Sequence, residues 1–557
     1  MNNSYYSKYL KYKHKYKYLT KQRNVIQCGG FSHNNNDIMQ FLYKIESRMM
    51  EIFIYFCRSI SKHILPYEKV NGEFEYNDDS VRNLGNIADM LNVVRVYPQM
   101  NDDNIKTTAR NTIDNYLFEN INISNKRKFN KLDGGAQAFL LISMIHYDRI
   151  YDDEIYYEYI NEVCDVLVDR INNKTGYIDC EDQDFFAGEI LHALNIYEMN
   201  VSRLDYNKNA VINYYNKYFE ENYVTKENNL LSKAIILPKA IILPKAIILP
   251  FYCNWQLQAF TGINSYKNDY TDKLIKTITQ YMKQNEINSL VTYACSLEGL
   301  MLHLDIDTIY DKYSNDINKL IVILDINKNN GFNDLRFDEL GHVISMFLNI
   351  LDKNRLKLWL LKDVPTKFLT EQLSEHSDKN RYKNSEIDRY NKEGVFITIY
   401  ENNQLAGCVG SFYDKKKSGD LFDKIIDITI AAADDNRFGH DLEYFKTKKI
   451  NNINPNKGIN TTITVLGPVR VYDVDSIRDK YIPRYHGIIL YCGTEQYSTY
   501  LPSVMVEQGW LNKYELNLDA VIKSLEHKST VNSCDEISIG LYPGYEIDRK
   551  NYIHYDN

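Results

Sequence analysis

Apolar residues along this chain follow two rhythms. From Asn36 to about Asp363, small and large apolar residues recur at helical spacing in Leu84–Leu91, Asp133–Leu140, Asp184–Leu194, Asn254–Phe260, Thr292–Leu300 and Asp338–Phe347. Alanine and glycine are frequent in these six segments, as inner helices that pack closely on one another require. Their starts lie roughly 40 to 70 residues apart, which leaves room for an outer helix in every unit. The rhythm predicts six helical hairpins, and six can close a ring. After Gly394 the apolar positions alternate and become β-branched or aromatic. VFITIYENNQLAGCVGSF predicts a β-hairpin turning at Glu401-Asn402-Asn403. Gly407 and Gly410 flank Cys408, where backbone must bend or meet something bulky.

The expected organisation is multidomain. A basic arm covers 1–35, an all-α domain 36–365, a linker or start of the second domain 366–393, and an α/β domain 394–550. The longest interval between helical segments holds three identical copies of Lys-Ala-Ile-Ile-Leu-Pro at 233–250. Proline at every sixth position argues against a continuous helix, so short extended pieces in an insertion loop are expected.

The arm MNNSYYSKYLKYKHKYKYLTKQR carries seven Lys or Arg and no acid. Tyr5, Tyr9, Tyr12, Tyr16 and Leu19 fall on one helical stripe, which fits docking to nucleic acid, an acidic surface or a partner helix. A solvated tail fits equally well. Such an arm, followed by Cys28-Gly29-Gly30, resembles the N-termini of many proteins of giant DNA viruses of the Mimivirus kind. That resemblance implies a virion or host-cytoplasm location and cleavage after Gly30.

Composition narrows the classes further. With 44% hydrophobic and 25% charged residues the 557-residue chain falls in the globular range. A net charge of -8 argues against a general nucleic-acid coat, while local basic patches can still bind phosphate. No apolar run is long enough to span a bilayer, and the start lacks a secretory pattern. The nine cysteines show no CxxC pair and no metal-like spacing with histidine. Reduced thiols are expected, with no metal and no cofactor.

The Leu405-Ala406-Gly407-Cys408-Val409-Gly410 strand resembles the hallmark Leu-Arg-Gly-Cys-Ile-Gly of the AMMECR family of small α/β proteins. The stretch from Ala431 to Phe438 looks like the family's following helix with its Asp-x-Arg-Phe end. Tyr485-His486-Gly487, Tyr500-Leu501-Pro502 and Glu507-Gln508-Gly509-Trp510 are similar to its later motifs, in the same order. The resemblance covers roughly Thr370 to Ile547. Ala406 stands where the family carries arginine, which puts any anion-holding role of that arginine in doubt here. The helical half resembles, more diffusely, the (α/α)6 toroids of N-acylglucosamine epimerase-like and unsaturated glucuronyl hydrolase-like enzymes.

Two candidate sites follow. In a toroid the inner-helix ends collect at the cavity mouth, so Asp133, Asp184, Glu189, Trp255, Glu298 and Asp338 are cavity candidates. Paired carboxylates beside aromatics suit acid–base work on a sugar, although an Asp at a helix start commonly serves as an N-cap. His192, His303 and His342, in apolar helical contexts, read as satisfied core histidines. In the second domain Cys408 and His486 could meet as nucleophile and base, with Thr398, Tyr485, Glu507 and Gln508 as neighbours. The favoured reading of Cys408 is a small buried filler between strands, since no activating charge is visible beside it, and Pro502 and Trp510 serve equally as turn and core. Two functions remain open: an enzyme acting on a small polar or carbohydrate-like substrate, and a non-catalytic virion or host-interaction scaffold.

Overall fold

The computed structural model describes residues 35–120, 132–224, 239–261, 269–285, 287, 289–333, 335–370, 387–412, 420–448, 458–492, 496–512, 514–528 and 537–548. The basic arm, its Gly29-Gly30 pair and the first Lys-Ala-Ile-Ile-Leu-Pro copy lie outside these residues.

Among the described residues twelve helices fill the first part: α1 Asn35–Ser59, α2 Ser80–Val96, α3 Asp103–Asn120, α4 Gly134–Tyr151, α5 Tyr157–Asp169 and α6 Phe186–Asn200, then α7 Lys208–Tyr223, α8 Lys239–Phe260, α9 Asp269–Gln284, α10 Leu290–His303, α11 Ile306–Asn329 and α12 Phe337–Leu358. A small hairpin, β1 Glu68–Val70 with β2 Glu73–Glu75, follows α1. Side-chain caps start many of the helices. Asp79, Asp133, Asn207, Ser289 and Asp305 each accept a backbone N–H three residues on.

All six small-residue segments fall on the even-numbered helices. Each of these packs on the next: α2 on α4, α4 on α6, α6 on α8, α8 on α10, α10 on α12, and α12 on α2. Such helices are buried nearly all round, as the run of buried residues from Gly134 to Ala138 and from Leu140 to Tyr147 on α4 shows. The odd-numbered helices pack outside them and are amphipathic. α9 buries Tyr270, Leu274 and Ile278 on one face.

One expectation is overturned. The second and third Lys-Ala-Ile-Ile-Leu-Pro copies are the first half of α8, not extended pieces. Proline inside a helix costs about 3 kcal/mol. Here α8 packs between α6 and α10, and that tertiary contact outweighs the local penalty.

The second part is an α/β domain. It contains α13 Val364–Leu369, β3 Gly394–Glu401, β4 Gln404–Ser411, α14 Leu421–Ala433, α15 Leu442–Lys446, β5 Ile459–Leu466, β6 Arg470–Tyr472 and α16 Val474–Lys480. β7 His486–Cys492, β8 Gln496–Tyr500, α17 Pro502–Glu507, β9 Leu511–Asn512, β10 Glu515–Leu516, α18 Leu518–Lys528 and β11 Ile537–Asp548 complete it. The antiparallel sheet runs β4-β3-β5-β11-β7-β8, with β6 also on β11. The expected hairpin is β3–β4, turned by Asn402 and Asn403, both at positive φ (49° and 66°). The stretch expected as a linker begins with α13, which packs on α14 and β5.

Val395, Ile397, Ile399, Ile463 and Val465 point to the helix-covered face and join the core of the helical part. The opposite face is concave. Phe412, just past β4, meets Tyr497 of β8 and Tyr542 of β11 with ring centroids 5.7 and 5.1 Å apart, so the sheet curls until its two edges approach.

Candidate functional site

Where the even-numbered helices meet, a cavity of about 470 Å³ opens. Five of the six residues expected there line it: Asp133, Glu189, Trp255, Glu298 and Asp338. Asp184 does not. Its carboxylate accepts from Tyr218 and Tyr223, both at 2.8 Å, on the outer helix α7. Asp133 does both jobs foreseen for it, capping α4 through Ala136 N–H at 2.8 Å while lining the cavity.

Asp89, Asn86, Arg82, Arg336 and His342 also line the cavity and were not singled out as site residues from sequence. Asp338 lies between two guanidinium groups, 3.3 Å from Arg82 Nε and 3.2 Å from Arg336 Nε. Asp89 accepts from Ser345 Oγ, and burial first, then the Glu298 charge, pushes its carboxyl up to about 8. Burial and the Asp133 charge likewise push Glu189 up to about 8. Glu189 Oε2 is buried with no hydrogen-bond partner. Glycine makes room for both acids. A Cβ on Gly135 would sit 2.4 Å from Glu189 Oε2, and one on Gly341 would sit 2.5 Å from Asp89 Oδ2.

Aromatic faces supply the apolar lining. Trp255 packs edge-on to Phe139 at 5.6 Å and lies 5.6 Å from the His342 ring. Phe185, Phe186 and Phe251 complete the wall. The expectation of a satisfied core histidine holds for His303, whose Nε2 lies 2.9 Å from the Leu257 carbonyl. It fails for His342, which faces the cavity and meets Glu298 Oε2 through Nδ1 at 2.8 Å. Glu298 also accepts from Asn254 at 2.8 Å and Gln258 at 3.1 Å. Burial works against a charge on His342, but Cys295 and Glu298 hold its pKa well above the usual range.

In the second domain the structure does not bring Cys408 and His486 together. β3, β5 and β11 lie between their strands in the sheet order. His486 Nδ1 accepts from Ile482 N–H at 3.0 Å, and burial pushes its pKa down to about 3. It is a neutral structural histidine. Of the neighbours expected for Cys408, Thr398 is beside it, opposite on β3. The Cys408 thiol lies 3.5 Å from Thr398 Oγ1. Its N–H donates to Asp435 at 3.1 Å and its carbonyl accepts from Arg437 at 2.6 Å. Burial pushes the thiol up, against Thr398 and the charges of Arg437 and Lys528. A protonated thiol is a poor nucleophile.

The remaining family-motif residues have packing roles. A Cβ on Gly407 would lie 2.1 Å from the Ala432 carbonyl, and one on Gly410 would lie 2.0 Å from the Phe396 ring. Ala406 is buried in the core and Leu405 is exposed. Gly487 admits the Tyr542 ring, Pro502 starts α17 against Gly544, and Trp510 lies 5.2 Å from Tyr500. Gln508 follows α17 as its C-cap, its N–H donating to the Val504 carbonyl at 2.9 Å. Tyr485 reaches across to the helical part and donates to Glu46 at 2.6 Å.

The curled antiparallel sheet with helices on its outer face defines an α/β domain in the C-terminal third. Residues 363–544 match the AMMECR1 family model, so this region is an AMMECR1 domain. The uncharacterised protein PH0010 of Pyrococcus horikoshii, known from a crystal structure, is similar at 18% identity. The match covers 34% of this chain and 90% of that one, with a TM-score of 0.26. No curated protein matches the chain.

Proposed function

We propose that the chain is an enzyme whose helical part is an (α/α)6 toroid acting by general acid–base catalysis on a small polar, carbohydrate-like substrate. Support for the toroid is the cyclic order in which the six even-numbered helices pack. The observation that carries the catalytic reading is Glu189, a buried carboxyl facing the cavity with one oxygen unpartnered. Held protonated at neutral pH, it can donate a proton to a leaving or migrating oxygen. Glu298, fixed by Asn254 and Gln258, pairs with His342 to take a proton on the other side of the reaction. The cavity volume suits a mono- or disaccharide, and Trp255 offers a face for the sugar ring.

The reading of a virus-encoded chain, present in the virion or host cytoplasm, rests on the sequence of the basic arm. Intact-mass measurement of virion protein tests it: a native N-terminus at Met1 with no packaging sinks it. Among the described residues no helix is long and apolar enough to cross a membrane.

Full-length protein incubated with mono- and disaccharides, including uronic acids, should show ligand-dependent thermal stabilisation and turnover by mass spectrometry. Glu189→Gln should abolish turnover while keeping the helical circular dichroism. No stabilisation by any member of the class, or unchanged turnover in Glu189→Gln, would favour the scaffold reading instead.

A further inference from the structure

We propose that Cys295, Glu298 and His342 form a zinc site opening into the helical cavity. Cys295 and Glu298 stand three residues apart on α10 and therefore share a face. His342 comes from α12, the neighbour of α10. One donor atom from each residue lies within 4.8 Å of the other two. Ligands around a tetrahedral zinc at about 2.0–2.3 Å stand roughly 3.4–3.8 Å from one another, so small rotamer adjustments close the site.

The donor set is a thiolate, an imidazole nitrogen and a carboxylate oxygen, which suits zinc better than magnesium or calcium. Three protein ligands leave one position open, the arrangement of zinc sites that activate water or polarise an oxygen. Glu298 and His342 line the cavity whereas Cys295 lies buried behind them, so the open position faces the substrate space. A second independent observation points to a ligand in the same space. Asn86 Oδ1 and Glu189 Oε2, on two other helices lining the cavity, are buried without hydrogen-bond partners, and both residues are at least nine-tenths buried.

The surroundings already restrain the ligands. Asn254 and Gln258 hold the Glu298 carboxylate from α8, as outer partners do in metal sites. The ion would replace the proton between His342 Nδ1 and Glu298 Oε2 and the proton of the Cys295 thiol, and these protons leave to solvent. No oxidation state changes. The inference shares its cavity with the acid–base reading and, with the ion bound, withdraws Glu298 and His342 from proton transfer; metal uptake is measured without substrate. Its failure therefore leaves Glu189, Glu298 and His342 in their acid–base roles, and failure of turnover leaves the metal site standing.

The test is metal analysis of the full-length protein, chelator-stripped and then titrated with zinc against a chromophoric competitor. One equivalent should bind with a dissociation constant below about 1 μM. Cobalt in its place should show thiolate-to-cobalt charge-transfer absorption. Cys295→Ser should abolish that absorption, whereas Cys253→Ser, a buried cysteine outside the trio, should retain it. Asn254→Ala should weaken zinc about 10-fold, a second reading that holds should Cys295→Ser fail to fold. The proposal is overturned if no zinc binds at stoichiometric concentration, or if the charge-transfer absorption survives in Cys295→Ser.

Discussion

Gly135 and Gly341 owe their identity to the acids opposite them. At Gly135 an added methyl would meet Glu189 Oε2 at 2.4 Å and the Phe186 ring at 2.8 Å. Gly135→Ala should therefore destabilise the protein by about 1–3 kcal/mol in urea unfolding and displace the acid from the cavity. Glu189 itself sets a pH dependence. Its pKa rises from 4.5 to about 8 in the fold, so the folded state holds a proton that the unfolded chain releases above 4.5. Stability from this group is complete below 4.5 and is lost as pH rises through about 8. Asp133 and Asp182 add to the upward push and His342 opposes it. Glu189→Gln should flatten the decline in melting temperature over that window, and an unchanged slope would show that Glu189 is ionised in the fold. Asp133, Glu189 and Asp338 were legible because each stands at or in the first turn of an inner helix that bounds the cavity, whereas Glu298 lies mid-helix on α10. Asp184 escaped that logic because two tyrosines on α7 capture it from outside.

Among elements, the β3–β4 hairpin was fully legible: alternation fixed the strands, and two asparagines, tolerant of positive φ, fixed the turn. α8 was not, since its two prolines oppose helix locally and only packing against α6 and α10 overrides them. The Cys295–Glu298–His342 group was illegible for another reason. Its members are apolar-context residues on two helices, and only the packing of α10 on α12 makes them neighbours. The segment after α14 carries a further device that motif reading saw without its meaning. Asp435 accepts from Cys408 N–H at 3.1 Å and holds Arg437 through Nε at 2.9 Å and Nη2 at 2.6 Å. Arg437 in turn donates to the Cys408 carbonyl. Although Ala406 replaces the family arginine, a guanidinium still reaches this strand, from a different element. Burial opposes the Asp435 charge, but these hydrogen bonds win and hold its pKa below 3.8. Its contribution is thus present above 3.8 and fades as pH falls through the lowered value. Asp435→Ala should cost about 1–3 kcal/mol in chemical denaturation, because it leaves Cys408 N–H unpaired. Asp435→Asn should remove the acid-side loss; an acid limb identical to the parent's would place the Asp435 charge elsewhere.

At the scale of the whole molecule, the joint between helical part and AMMECR1 domain forms around a buried ion pair, Glu46 with Arg355, both supplied by the helical part and met by tyrosines of the second domain. Glu46 of α1 is 1% exposed and receives both Arg355 Nε and Nη2 at 2.7 Å. Tyr97 donates to one of its oxygens and Tyr485, from the second domain, to the other, each at 2.6 Å. The Arg355 guanidinium lies over the rings of Tyr43, Tyr390 and Tyr545 at 5.3, 5.3 and 5.1 Å, the last two again from the second domain. Trp359 ties the same joint by donating to Tyr545 OH at 2.8 Å. With both charges of the pair fully desolvated, removing one strands the other, and such losses run to about 3–5 kcal/mol. Glu46→Gln and Arg355→Met should each cost that much, while the double variant should cost less than their sum because neither charge is left alone. Since the hydrophobic core runs unbroken across the joint, the parent protein should melt in one calorimetric transition. Arg355→Met should split it, the AMMECR1 domain and the helical part unfolding at separate temperatures. A single transition in the variant at the parent temperature would mean that apolar packing alone couples the two, with the ion pair fixing only their orientation.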